Sequence, residues 1–571
     1  MLKKTKLWIA RHPYWTLAIL TFAAFFPFLS KPFNMDDPLF LWAARQIQAH
    51  PGNPYAFTVN WYAFEQPMWA VTENPPFTSY FIALAAGIFG WGETGLHLAF
   101  MLPAVAAVLG TYRLAKSFCA QPELAALITL FTPVFLVSGT TLMCDLTLLA
   151  FWVWTVVFWV EGMERNSWRH LLLAGLLASL AFLTKYYGLC LVPLLAAHGL
   201  LQKRNGGWWL LWLFIPLATL LAYQLASSAL YGQGLLSGAA KYTSHTKKWP
   251  DVTEAVTLVI TLTFTGGCLA PAIFFAPLIW RLRTLALFAG GTTLAVVLLL
   301  KNDLLANKFP CLTVHSQMPV EIQMIIWSAG GICLLALAGG EIFRRWDAKS
   351  WLLALWVFGT VAFTAFLNWT INGRSLLPLA PALAILIARR LEQKSPAWPP
   401  VAKILVLPCA VLALLVARSD FLLATAVRQS VQQAHARYGS ASGTVWFEGH
   451  WGFQYYAQLA GGRPLDANHF ELLQSKDVLV VPVENSNLLP PDPRIVAWQD
   501  SFTIPGPAYL ATWNPDIGAG FYADSGGPLP FAFGKVSPER IVALGLYAPP
   551  GFVFRLKPVP GSVPEISASE K

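Results

Sequence analysis

Asp36 and Asp37 stand side by side in SKPFNMDDPLFLWAARQ, directly after the first apolar run of the chain. Two adjacent carboxylates at a membrane surface are costly unless they are solvated, paired or used in chemistry. A carboxylate in that position can take a proton from an acceptor hydroxyl. The run before them, residues 14–30, follows Lys3, Lys4, Lys6 and Arg11. Basic flanks stay on the cytoplasmic side, so the acidic pair is expected on the far face. Asp145 in SGTTLMCDLTLL, Lys185 in FLTKYYG and Arg374 in NWTINGRSLLP stand at the ends of later apolar runs, and Glu73 and His245 lie in longer polar connections. Lys and Arg hold phosphate through charge-assisted hydrogen bonds. Carboxylates and cations gathered on one membrane face therefore suit group transfer from a lipid-linked phosphate.

The elements that position these residues are membrane spans. The chain has 571 residues, of which 56% are hydrophobic and 12% charged, with a mean hydropathy of +0.53. Soluble domains carry about 25% charged residues. The net charge of +10 does not point to nucleic acid, because the basic residues cluster in short segments between apolar runs, where they encode topology. No CxxC pair occurs among the seven Cys, and none lies in the polar C-terminal third, which argues against a disulfide framework or a zinc–thiolate site. The N-terminal run reads as a retained anchor rather than a signal peptide. About thirteen runs are long enough to span: 14–30, 94–115, 122–140, 145–162, 169–185, 187–201, 207–230, 253–280, 284–300, 321–343, 350–368, 375–391 and 400–418. The stretch 75–90 is read as lying at the surface or re-entering. Only then do Arg113 and Lys116, Arg165 and Arg169, Lys203 and Arg204, and the later basic pairs all stay inside. The expected architecture is an all-α polytopic membrane domain over 1–418, with 31–93 as a long first outer loop. A small extracytoplasmic α/β domain over 419–571 follows. Its strands are expected at 443–449, 477–483 and 508–513, and its last dozen residues as a disordered tail.

In order along the chain, DDPLFLWAARQI, ENPPFTSYFIALAAGIFG, the Asp of LMCDLTLL, AFLTKYYG and NGRSLLPLAPALAIL resemble the motifs of GT-C-fold glycosyltransferases. The similarity is to the protein-O-mannosyltransferase and aminoarabinose-transferase type, the bacterial family-39 and family-83 group, over residues 10–390. The resemblance implies an inverting enzyme that moves a hexosyl or pentosyl group from a polyprenyl-phosphate donor to a hydroxyl of a lipid, glycan or protein. It implies Asp36 as the base and Asp37 in a place where the family usually has Glu. It implies Asp145 as a second acid that helps hold acceptor or donor, and Lys185 and Arg374 as cations near the donor phosphate. Glu73 matches a carboxylate that lies near a metal in aminoarabinose transferases. Tyr186 replaces the family's Gly and Ser375 its Tyr, both at expected donor contacts.

Plainer readings stand beside these. Asp36, Asp37 and Asp145 suit helix N-caps, Lys185 can snorkel from a span end, and His245 can be an ordinary loop histidine. Glu73 and His245 are candidate ligands of a divalent metal, since carboxylate and imidazole both bind zinc; no other cofactor is expected. The G-x-G of YGQGLLSG follows an apolar run and is no dinucleotide fingerprint. A transporter or flippase of lipid-linked sugars is the rival function. Such proteins place charges within the bundle and carry repeats, whereas here the charges lie in outer loops and no repeat is visible. With no ER-retrieval signal and no large extra domain, the expected location is a bacterial inner membrane, with the site and the C-terminal domain facing the periplasm.

Overall fold

The computed structural model describes residues 11–72, 74–203, 207–246, 253–313, 318–394, 400–489 and 492–547. Among the described residues, seven helices are long and apolar enough to cross a membrane: Glu93–Ala115, Cys144–Arg165, Trp208–Tyr231, Leu282–Lys301, Val320–Arg344, Ala348–Leu367 and Ala402–Tyr438. Pro122–Leu130 and Pro133–Gly139, bent by 60°, make an eighth if they form one span. Shorter apolar helices cover Pro13–Phe28, Phe77–Phe89, Trp168–Thr184 and Glu254–Cys268. The protein is an integral membrane protein of mostly helical build.

This count is lower than the expected thirteen; part of the difference lies in helices just short of spanning length, such as the 17-residue Trp168–Thr184, and part in breaks that hydropathy does not register. Pro133 has no N–H to continue the preceding helix, and the chain turns there. The run 253–280 stops as a regular helix at Cys268 and resumes only as two four-residue turns, Pro271–Phe274 and Ala276–Ile279. The run 187–201 opens as a 3-10 turn, Tyr186–Cys190, before the helix Leu191–Lys203. The stretch 75–90 forms the 13-residue helix Phe77–Phe89, about 20 Å long at 1.5 Å per residue, short of a hydrocarbon layer of about 30 Å.

The chain divides into two compact units, neither continuous in sequence. One comprises Met1–Lys31, Asn74–Phe421 and Tyr509–Lys535; the other comprises Pro32–Glu73, Leu422–Ala508 and Val536–Lys571. The first is the helical unit. Within it, Tyr509–Lys535 carries two short antiparallel ladders, Leu510–Ala511 with Ala532–Phe533 and Trp513–Asn514 with Ala519–Gly520. The stretch expected as a strand at 508–513 therefore supplies only two-residue strands. The last helix, Val406–Tyr438, runs 33 residues and continues past the expected domain boundary at 418.

The second unit holds a five-stranded mixed sheet in the order Arg463–Pro464, Val445–Phe447, Val478–Pro482, Glu539–Leu546, Val496–Ile504. The strands expected at 443–449 and 477–483 are the parallel neighbours Val445–Phe447 and Val478–Pro482. Side chains alternate across a strand. Val478 and Val480 accordingly join one apolar cluster, with Phe447, Phe502 and Ile541, while Leu479 joins the other, with Trp446, Leu465 and Leu544. The expected C-terminal tail lies outside the described residues.

Candidate functional site

Two constellations carry the sequence-predicted residues, one in each unit. In the sheet-bearing unit, Asp36 and Asp37 open the helix Asp37–Ala49, with Pro38 in its first turn. Phe40, Leu41, Ala44 and Ile47 form its buried stripe, at the spacing that puts one helix face inward. Asp37 is 1% exposed, and its Oδ2 accepts from the Asn34 N–H at 3.0 Å. That contact reaches back over the start of the helix like the return arm of a capping box. Asp36 occupies the N-cap position without a side-chain capping bond and is partly exposed. The capping reading therefore fits Asp37 better than Asp36.

The pair is held by residues more than 400 positions away. The Phe33 N–H donates to Tyr456 Oη at 2.9 Å, and the Phe33 ring meets Tyr455 edge-on at 5.4 Å. A Cβ at Gly452 would lie 2.4 Å from the Phe33 carbonyl oxygen, so only glycine lets the helix Trp451–Leu459 begin so close to the Asp pair. Further along the first outer loop, Gln454 Nε2 donates to the Asn60 carbonyl at 2.7 Å and Asn60 Nδ2 to the Leu465 carbonyl at 2.9 Å. The Glu65 N–H donates to Asp466 Oδ2 at 3.0 Å. His450 lies close enough to Asp36 for the carboxylate to act on it electrostatically. No local sequence signal marks Tyr456, Gln454 or Asp466 as partners of this loop.

In the helical unit, Asp145 lies in the first turn of Cys144–Arg165 but makes no capping bond. It is 2% exposed and accepts from Lys185 Nζ at 2.7 Å through Oδ1. Its Oδ2 has no hydrogen-bond partner among the described residues. Lys185 adopts extended backbone between Trp168–Thr184 and Tyr186–Cys190. The Gly188 N–H closes that turn on the Lys185 carbonyl at 2.8 Å. A Cβ at Gly188 would sit 2.5 Å from the Ala181 carbonyl carbon, so glycine lets the turn fold back on the helix. Lys185 is thus an ion-pair partner rather than a simple snorkelling cation. Cys144 Sγ meets Asn74 Oδ1 at 3.6 Å, which sets Asn74 against the start of the Asp145 helix.

Arg374 belongs to the short helix Gly373–Leu376, capped by Asn372 Oδ1 accepting from the Ser375 N–H at 2.8 Å. Its Nη1 faces Met143 Sδ, its guanidinium lies 5.7 Å from the Tyr522 ring centre, and it acts electrostatically on Asp145. Cation and aromatic face attract at such distances. Tyr522 Oη in turn donates to Asp420, which also accepts from Thr512 Oγ1 at 2.7 Å and pairs with Lys31. Asp524 Oδ1 accepts from Thr370 Oγ1 at 2.6 Å and from the Ile371 N–H at 3.1 Å, and the Gly373 N–H donates to the Phe521 carbonyl at 2.8 Å. The segment Tyr509–Lys535 therefore braces the loop that carries Arg374. Of these bracing groups, Asp420 was open to discovery, because an acid inside an apolar helix marks a candidate functional residue.

At the two departures from the family pattern, Tyr186 packs 5.9 Å from Phe182 and 6.2 Å from Tyr223, and Ser375 Oγ accepts from Asn368 Nδ2 at 2.9 Å. Glu73 lies outside the described residues, as does the side chain of His245, whose backbone falls in the helix Leu235–Thr246. Among the described residues, no group of three or more His, Cys, Asp or Glu could hold a metal ion.

Residues 73–231 match the family described as dolichyl-phosphate-mannose-protein mannosyltransferase. The matched stretch contains Asp145 and Lys185. Among solved structures, the chain is similar to the oligosaccharyltransferase AglB of Archaeoglobus fulgidus in complex with an inhibitory peptide and a dolichol-phosphate. Identity there is 13% and the TM-score 0.48, over 84% of this chain and 70% of that one. A second structure of the A. fulgidus enzyme, tethered to an acceptor peptide, gives 13% and 0.46 over 80% of this chain, which spans 64% of that protein's length. ArnT from Cupriavidus metallidurans bound to undecaprenyl phosphate gives 14% and 0.40, over 83% and 94%. No curated protein matches the chain.

Proposed function

We propose that the protein is an inverting glycosyltransferase that moves a sugar from a polyprenyl-phosphate donor to an acceptor hydroxyl. Its place is a bacterial inner membrane, with the reaction and the sheet-bearing unit on the periplasmic side. The observation that carries this reading is the ion pair of buried Asp145 with partly exposed Lys185, and Arg374 beside it, partly within the stretch that matches a family described as using dolichyl-phosphate-mannose. Two cations held by aromatic and acidic neighbours are preorganised for an anion. They need no rearrangement when negative charge develops on a departing phosphate.

In the proposed reaction, the Asp36 carboxylate takes the acceptor's hydroxyl proton. The freed oxygen forms a bond to the anomeric carbon from the side opposite the phosphate, and the bond from that carbon to the phosphate oxygen breaks. Its electron pair leaves with the polyprenyl phosphate, and the configuration at carbon inverts. Lys185 and Arg374 hold the donor phosphate and stabilise it as it leaves. Asp145 orients Lys185, and Asp37, bound to the Asn34 N–H, fixes the turn that presents Asp36. No step is assigned to a metal, because the described residues supply no donor set.

The test is purified protein in liposomes loaded with a polyprenyl-phosphate sugar and an envelope extract as acceptor. Sugar transferred to acceptor, lost in Asp36→Asn, supports the enzyme. Donor crossing the bilayer with no transfer supports the flippase and overturns this reading.

A further inference from the structure

Just after the strand Val445–Phe447, Glu448 and His450 are 5% and 6% exposed and line one cavity of about 10 Å³ with Asn60, Trp61, Asn487 and Leu489. That is room for about one water-sized group. The His450 ring is clamped. Its Nε2 meets Ser486 Oγ at 3.3 Å, Trp61 approaches it edge-on at 4.8 Å, and its backbone N–H and C=O both bond the Asn485 side chain, at 3.0 and 3.1 Å. Glu448 Oε2 accepts from the Leu489 N–H at 2.9 Å. Glu448 Oε1 and His450 Nδ1 remain without a hydrogen-bond partner among the described residues. Buried polar atoms in that condition are uncommon and costly.

Among the described residues, no Lys or Arg lines the cavity. Burial pushes the Glu448 carboxyl up to about 8, so it is protonated at neutral pH. With Oε2 already accepting from Leu489, Oε1 is the oxygen suited to carry the proton. Burial likewise pushes His450 down to about 4, against the opposing pull of Asp36 and Ser486. The ring is neutral, and with Nε2–H given to Ser486, Nδ1 offers a lone pair. Among the described residues, these two are the titratable groups lining the notch, and Asp36 acts electrostatically on His450.

We propose that this notch is a subsite for one hydroxyl of a neutral sugar, which accepts from Glu448 and donates to His450 Nδ1. A hydroxyl is donor and acceptor at once and satisfies both groups. A phosphate or carboxylate finds no cation, an ammonium meets a protonated acid, and an apolar group leaves both atoms unpaired. Asn487 lines the same cavity, partly exposed on left-handed backbone at φ 57°, and its amide can both donate and accept. A sugar offers it a neighbouring hydroxyl; a serine or threonine side chain has only one. Because Asp36 acts on His450 within the same unit, the sugar belongs to the acceptor. That role rests on the proposed glycosyltransferase reading, whereas binding itself does not.

The test uses full-length protein in lipid nanodiscs without donor. Methyl α-mannopyranoside and N-acetylserine methylamide serve as probes, read by saturation-transfer NMR at pH 7 and pH 9. The glycoside should bind at pH 7 and be lost at pH 9, where Glu448 no longer donates. His450→Phe should weaken it about tenfold. Glu448→Gln keeps an N–H donor and should bind the glycoside equally at both pH values; that variant decides the matter if His450→Phe does not fold. No glycoside binding, equal or better binding of the serine probe, or a pH response unchanged in Glu448→Gln overturns the subsite. Glycoside binding without any transfer counts against the enzyme reading alone. Transfer without glycoside binding counts against the subsite alone.

Discussion

In the helical unit, Lys31 and Asp420 are each 1% exposed and joined as an ion pair, and Arg389 and Glu341, 3% and 0% exposed, meet at 3.0 Å. In the sheet-bearing unit, Glu448 and His450, 5% and 6% exposed, are also buried but form no ion pair among the described residues, and burial leaves both uncharged near neutral pH. The first four groups are buried as charged pairs; Glu448 and His450 are buried uncharged. Both answers avoid the cost of an isolated buried charge, but they leave different chemistry behind. A pair with one reachable member, such as Lys185 at 20% against Asp145 at 2%, can offer its cation to an anionic ligand. A discharged acid beside a neutral imidazole can only share hydrogen bonds, which suits an uncharged ligand.

The contrast can be broken or sharpened by substitution. The largest expected effect is on turnover: Asp36→Asn should lower transfer by about 10²–10⁴-fold with little change in melting temperature, because Asn keeps the shape and hydrogen-bonding reach of Asp while losing its basicity. If Asp36→Asn keeps full turnover while Asp37→Asn is dead, the base is the neighbouring residue. Next comes the paired burial. Lys31→Met strands the Asp420 carboxylate and should cost about 3–5 kcal/mol, read as a lower melting temperature in detergent. The double variant Lys31→Met/Asp420→Leu should recover much of that loss. If the double variant melts no higher than the single, the stranded charge is not the cause.

Lys185→Ala and Arg374→Ala should each raise the KM for donor about ten- to a hundred-fold in protein that still folds. Unchanged donor KM in both would remove the phosphate site. The smallest effect concerns the discharged pair. Folded Glu448 keeps its proton up to about 8 while the unfolded chain releases it near 4.5. Between those values the folded state holds more protons, so stability falls as pH rises, by about 1.4 kcal/mol per pH unit at most. His450 works in the opposite direction: its folded value near 4 lies below the ordinary 6.5, so its contribution is lost as pH falls from 6.5 towards 4. The two slopes oppose each other between about pH 4.5 and 6.5, so thermal melts should be nearly level there and fall from about pH 6.5 to 8. Glu448→Gln should flatten that alkaline fall and unmask a loss of stability as pH drops below about 6.5. A wild-type curve level from pH 5 to 8 would show that these groups are not buried as described.

The sequence made some of the candidate site legible. Asp145 and Lys185 stand at the ends of apolar runs, and their ion pair follows from two charges reaching the same edge of a bundle. The Asp36–Asp37 pair announced itself by its cost at a membrane surface, yet only the structure shows that Asp37 bonds the Asn34 N–H while Asp36 stands at the N-cap without a side-chain capping bond. The structure breaks the helices at Pro133 and between Cys268 and Pro271, inside runs that read as continuous, since a hydropathy window sums composition and does not see a lost backbone bond.

By itself, the sequence determined the properties that arise from near neighbours. Its apolar content requires a bilayer, its basic clusters sort the loops, and the alternation of Val478, Leu479 and Val480 sets two faces of a sheet, because each depends on residues a few positions apart. Only the tertiary structure decided which distant groups meet. Lys31 finds Asp420 across 389 positions and Asn60 finds Leu465 across 405, and many other pairings are compatible with the same composition. It also decided which titratable groups lose their charge. Burial belongs to the packed chain and not to the residue type, so Glu448 reads as one more acid until the fold removes water and leaves no cation beside it.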